Sequence, residues 1–262
     1  MSNPADWKTY EELAYGIDTN RLPATDALAG ADLPIRLNDG STLHLRFEDG
    51  ERLSWSETDG ATRRTGVDAY DAVAVDNSTY FVDFWPRQAE RDAYTVVVDT
   101  STGRALTVLS TVAPEPVEGR PRVGQLFRIG AVGDAPPSGF EPRETRDLIG
   151  KRILNDYSPN HLYEHIYVNS NRYCWQCLAG VQKGHGDCDL ASYYKFDEGR
   201  YLFTFREFRI PVASVFFFNM DTMRSTGKFL GIEGDGHINN SYAGAHISVL
   251  STTTYPDGVS PV

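Results

Sequence analysis

Apolar residues recur at every second position over much of this chain. In "STLHLRFEDGERLSW", residues 41–55, Leu43, Leu45 and Phe47 alternate with Thr42, His44 and Arg46. A two-residue period puts the apolar set on one face of a strand. Asp49-Gly50 supplies a turn, so the stretch predicts a hairpin. Two further hairpins follow: "YDAVAVDNSTYFVDFW", turning at Asn77-Ser78, and "AYTVVVDTSTGRALTVLS". Ahead of them the pattern is helical. Trp7, Tyr10, Leu13 and Ala14 share one face, with Pro4 near a first turn.

The second half replays the first. "HLYEHIYVNSNRYCWQCL" matches the first hairpin, with Arg172-x-x-Trp175 over Arg52-x-x-Trp55. "YYKFDEGRYLFTFRE" matches the second and "VASVFFFNMDTMRSTGKFLG" the third, with Asp221, Thr222 and Gly227 over Asp99, Thr100 and Gly103. A duplicated meander predicts an all-β protein with two antiparallel barrels, or one large barrel, after a short N-terminal helix. The boundaries follow: a helical segment at 1–32, one β domain at 33–112, a Pro- and Gly-rich linker at 113–145, and a second β domain at 146–262. Within the linker, "GQLFRIG" has the pattern of an added strand.

The chain has 262 residues, enough to bury a core without metals or cross-links. Its formal charge of −11, with no basic block, argues against nucleic acid and anionic membranes as partners. The longest apolar run, "VASVFFF", is too short to span a bilayer, and the first 20 residues lack a signal-peptide pattern. Three cysteines cannot all pair. Cys174 and Cys177 stand three apart in a strand and so face opposite ways, which excludes a shared metal or a bond between them. The reading is a cytoplasmic protein with reduced cysteines, no metal and no cofactor, with a homodimer left open.

One active site on a duplicated scaffold shows where the copies differ. Glu207 stands where the first copy has Pro86, on the strand face shared by Tyr201, Phe203 and Phe205. A carboxyl group among aromatic rings is raised in pKa and suits acid–base work. The competing reading pairs Glu207 with Arg206 or Arg209 in water. "AGVQKGHGDCD", 179–189, fits no established zinc spacing. It reads as a glycine-shaped loop with His185 as proton carrier or anion donor, or as a plain surface loop. In "YEHIY", Tyr163, His165 and Tyr167 share one face, while Glu164 falls in an aliphatic row and needs a partner if buried. Asn155 and Tyr157 open the second meander with hydrogen-bonding groups.

At "YEHIYVNSNRYCWQCLAGVQKG", "YLFTFRE" and "MRSTGKFLG" the sequence resembles the MoaF family, molybdenum cofactor biosynthesis protein F. "YDAVAVDNSTYFVDFW" resembles that family's N-terminal domain. The resemblance implies two lipocalin-like (calycin) β-barrels. A fainter likeness to phenolic acid decarboxylases aligns Glu207 with a catalytic acid, Asn155 and Tyr157 with two carboxylate-binding tyrosines, and His185 with a carboxylate-binding arginine. The Asn and His departures loosen the grip on a carboxylate.

The leading expectation is cofactor-independent acid–base chemistry of lyase, isomerase or cyclase type on a conjugated or aromatic small molecule. Glu207, His185 and Tyr157 would be catalytic. Asn155, Tyr163, His165, Tyr173, Trp175, Phe203 and Phe205 would bind substrate. The rivals are a non-catalytic carrier or sensor of a hydrophobic metabolite and an accessory protein of molybdenum cofactor metabolism.

Overall fold

The computed structural model describes residues 7–262. The predicted Pro4 position lies outside them. Strands dominate, as the alternation requires. Strands β1 (Asp32–Leu37), β2 (Thr42–Phe47), β3 (Arg52–Asp59), β4 (Thr62–Ala74), β5 (Thr79–Phe84), β6 (Asp92–Asp99), β7 (Arg104–Val112) and β8 (Val123–Val132) close into one antiparallel barrel. Its core follows the predicted inward positions, with Leu43, Leu45 and Phe47 at most 1% exposed.

The second half repeats this barrel. After the short β9 (Arg143–Glu144) come β10 (Lys151–Ser158), β11 (His161–Asn169), β12 (Arg172–Gly180), β13 (Gly186–Asp197), β14 (Arg200–Arg206), β15 (Val212–Asn219), β16 (Arg224–Ile232) and β17 (Ile238–Thr252). Pairing of β10 with β17 and of β12 with β13 closes eight strands, and β9 lies on the outer side of β13. The architecture is two eight-stranded antiparallel barrels with one short helix, α1 (Tyr10–Ala14). At its start, Thr9 N donates to the Glu12 carboxylate at 2.9 Å.

Three expectations need correction. Residues 113–145 are not one linker. Strand β8 lies inside that range and seals the first barrel by pairing with β1, Ile35 opposite Val132. Its pattern is diluted because Gln125 and Phe127 are only half-buried. Nor is 1–32 a separate segment. The described residues up to Arg21 cluster with the second barrel, where Tyr10 donates its hydroxyl proton to Phe229 O at 3.1 Å. Third, the duplicated turn is aligned by its hydrogen bonds and not by its Asp-Thr letters. Asp99 Oδ1 accepts from Ser101 N and Thr102 N, and Asn219 Oδ1 accepts from Asp221 N and Thr222 N. Asn219 therefore answers Asp99, and Met223 at φ 53° answers Gly103 at φ 71°.

The cysteines divide by strand parity. Cys177 points inward and is buried with a free thiol, while Cys174 lies on the outer face. Cys174 is not reduced, however: it is bonded to Cys188, directly opposite on β13. That partner depends on the β12–β13 register, which the spacing alone does not reveal. The bond also removes the cysteine argument for a reducing, cytoplasmic compartment. Among the described residues, no helix is long and apolar enough to cross a membrane.

Alkylation of unfolded, unreduced protein should label Cys177 alone, with Cys174 and Cys188 becoming reactive only after reduction. Peptide mass mapping checks this. Cys174→Ser should lower unfolding stability by about 3 kcal/mol, the loop-closure value for this separation, read as a shifted denaturant midpoint at unchanged slope.

Candidate functional site

The site rests on a bracket present in both barrels. In the second, the Trp175 indole donates to Asp189 Oδ2 at 3.1 Å, and Phe208 N donates to Asp189 Oδ1 at 3.1 Å. In the first, the Trp55 indole donates to Asp68 Oδ2 at 2.8 Å and Arg87 N to Asp68 Oδ1 at 3.0 Å. Each Asp thus ties a tryptophan to the segment leaving the fifth strand. The equivalence of Phe208 and Arg87 makes Glu207 the counterpart of Pro86 by geometry as well as by sequence. Asp187, opposite Trp175, replaces Gly66, opposite Trp55. The second copy carries two acids that the first lacks.

Beside the bracket is a cavity of about 30 Å³. Tyr157, Tyr163, Tyr173, Trp175, Phe205 and Phe229 wall it, Leu13 and Ile17 of the N-terminal segment cover it, and His165, Gln182 and Glu207 supply polar groups. The rings pack edge-on and stacked: Tyr163 and Trp175 at 5.8 Å, Tyr173 and Phe205 at 5.0 Å between centroids. Trp7 lies edge-on to Trp175 at 5.8 Å.

Glu207 is 5% exposed, and its carboxyl group has no hydrogen-bond or ion-pair partner among the described residues. The competing ion-pair reading does not hold: Arg209 pairs with Asp187 at 2.9 Å, and Arg206 donates to Ser192 at 3.1 Å. Burial, reinforced by the charges of Asp189 and Asp187, pushes the Glu207 carboxyl well above its usual pKa. Burial likewise raises Asp189 to about 6, against the two hydrogen bonds it accepts. His165 is driven down to about 3 by burial, only partly opposed by Glu164, so its ring is neutral. Its Nδ1 has no partner. Glu164 itself meets the need anticipated for it, pairing with Arg152 at 2.5 Å and accepting from Gln176.

Seven of the anticipated residues line the cavity: Tyr157, Tyr163, His165, Tyr173, Trp175, Phe205 and Glu207. Three do not. Phe203 lies behind the wall, 5.0 Å from the Tyr173 ring. Asn155 is fully buried and donates its amide to Ile153 O at 3.1 Å. His185 follows a tight turn, with its N bonded to Gln182 O, and its ring packs edge-on against Trp7 at 5.2 Å. Sequence reasoning missed Gln182, Leu13, Ile17 and Phe229. For Gln182 the glycines at 180 and 184 are a signal, since both adopt positive φ and force the loop to turn inward.

The first barrel is filled where the second is hollow. Glu57 pairs with Arg64 at 2.5 Å and with Arg128 at 2.7 Å, and accepts the Tyr94 hydroxyl proton at 2.7 Å. By strand register Cys177 and His185 replace Glu57 and Arg64, so that ionic plug is missing from the second barrel. Among the described residues, no three His, Cys, Asp or Glu side chains are grouped to hold a metal ion.

Comparison with known proteins agrees with this two-barrel division. The model of the MoaF N-terminal domain matches residues 5–114 and that of the MoaF C-terminal domain matches residues 142–253. Protein MoaF of Klebsiella aerogenes is 31% identical over 254 residues, covering 91% of this chain and 92% of the relative. With both domains matched in order and a relative aligned nearly end to end, the chain belongs to the MoaF family.

Proposed function

We propose that the C-terminal barrel binds a small conjugated or aromatic molecule and catalyses proton transfer on it without a cofactor. The observation that carries this reading is Glu207: a buried carboxyl group facing an aromatic cavity, with no hydrogen-bond or ion-pair partner among the described residues. Such a group costs stability and persists where it has a task. Its raised pKa favours the protonated form, the form that acts as a general acid. Donation leaves a carboxylate that takes a proton back, from another carbon of the ligand in an isomerisation or from water in a lyase cycle. The aromatic walls orient a flat ligand. His185 is not itself among the lining residues, and its ring packs against Trp7.

A cavity of about 30 Å³ holds only about two waters. A ring-sized ligand therefore has to displace Leu13 and Ile17, which makes the segment that carries them the door. Membership of a family called molybdenum cofactor biosynthesis protein F favours a second reading, an accessory role in that metabolism. No Lys or Arg lines the cavity to hold a pterin phosphate, so under that reading the phosphate binds elsewhere.

Two measurements on Glu207→Gln test the first reading. With conjugated phenolic and carbonyl compounds followed by absorbance, the variant should bind as wild type does and lose about 10²–10⁴-fold in turnover. Unchanged turnover removes Glu207 from the mechanism, and absence of turnover in wild type favours the carrier.

The second measurement is stability against pH. Unfolded, Glu207 titrates near 4.5; folded, it titrates well above that. Between those points the folded protein holds a proton that the unfolded chain has lost, so rising pH favours unfolding. The variant should therefore gain stability over wild type as pH rises from the ordinary carboxylate range, by about 1.4 kcal/mol per pH unit. Denaturant titrations of both proteins across that range check the slope.

A further inference from the structure

We propose that the ligand of the C-terminal barrel is an uncharged planar molecule held through a carbonyl or ring-nitrogen acceptor by the Gln182 side-chain amide, and that carboxylates and phosphates are turned away. The proposal rests on the preceding reading only in taking this cavity as the ligand site. Gln182 is 1% exposed and lines the cavity. Its Oε1 accepts the Tyr163 hydroxyl proton at 3.0 Å, which fixes the amide and leaves Nε2 as the free donor. That Nε2 is buried and has no hydrogen-bond partner among the described residues. A buried, unsatisfied N–H is a place waiting for an acceptor.

The donor is also held rigidly. Lys183 N bonds to Gly180 O at 3.2 Å, Gly184 N to Cys177 O at 3.0 Å and His185 N to Gln182 O at 2.9 Å. Gly180, at φ 103°, lets Asn160 O approach to where a Cβ would stand 1.7 Å away, so no other residue fits there. A preorganised donor spends little conformational freedom on binding.

Charge decides what that donor accepts. No lysine or arginine lines the cavity, and its imidazole, His165, is neutral. Arg209, two residues beyond Glu207, is held by Asp187 at 2.9 Å with its guanidinium 4.8 Å from the Trp7 ring centroid. The charged neighbours of Glu207 are Asp189 and Asp187. An anion entering here would shed its water among like charges, with only neutral donors in return. A carbonyl oxygen needs no counter-charge. The aromatic wall, with Tyr173 and Phe205 stacked, suits the ring or double bond that carries it.

Matched ligand pairs test this by isothermal titration calorimetry at neutral pH: 4-hydroxyacetophenone against 4-hydroxybenzoate, and benzalacetone against cinnamate. Within at least one pair, the ketone should bind about tenfold or more tightly than the acid. Equal or tighter binding of both acids, or no ketone binding at millimolar concentration, overturns the proposal. Gln182→Leu, checked for folding by near-ultraviolet circular dichroism, should weaken the ketone about tenfold. Gln182→Glu keeps the shape, places an acid at the same point and should do the same. Unchanged ketone affinity in both variants overturns the assignment of the donor. Glu207→Gln remains neutral and should keep the ketone preference. Full turnover with that preference would sink Glu207 as the acid while leaving the ligand class standing; lost preference with lost turnover overturns the ligand class.

Discussion

The second barrel depends on one buried aspartate holding two groups at once. Asp189 fixes the Trp175 indole with one oxygen and the Phe208 amide with the other. The tryptophan becomes a wall that cannot swing away, and the chain just past β14 is pinned with Glu207 on the inner side. The first barrel makes the same tie through Asp68, with Pro86 where the second has Glu207. The bracket is therefore scaffold, and the chemistry lies in what has been set around it.

The two copies show how a packed barrel differs from a hollow one at equal topology. In the first, Glu57 gathers two arginines and a tyrosine hydroxyl into one ionic cluster. In the second, no such group balances Glu207, and the surrounding space is closed by rings and by two aliphatic side chains from the N-terminal segment. An unbalanced acid beside removable apolar cover is suited to exchanging protons with something that comes and goes.

Much of this was legible in the sequence because strand parity is strict. The alternation in "STLHLRFEDGERLSW" fixed the inward side, Arg52-x-x-Trp55 and Arg172-x-x-Trp175 fixed the repeat, and Pro86 against Glu207 marked the difference. Parity also set Cys174 and Cys177 on opposite faces of their strand. It fails where a strand ends. His185 and Gln182 sit around a tight turn, where His185 stood out by its chemistry and counting by twos gives no sign that Gln182 lines the cavity. Leu13 was missed because the helical face of α1 says that it is buried but not against what, and Ile17 lies beyond α1. Cys188 was missed as the partner of Cys174 because cross-strand register is set by the whole seam.

Grouping of the residues up to Arg21 with the second barrel bears on the order in which this chain is made. Trp7, Tyr10, Leu13 and Ile17 are made before the strands that cover them, which follow more than a hundred residues later. The first barrel can close in the meantime, since domains generally fold as they emerge. Until β16 and β17 appear, the N-terminal segment lacks the strands that its apolar residues pack against. A fusion tag placed at that end would be felt in the barrel encoded at the other.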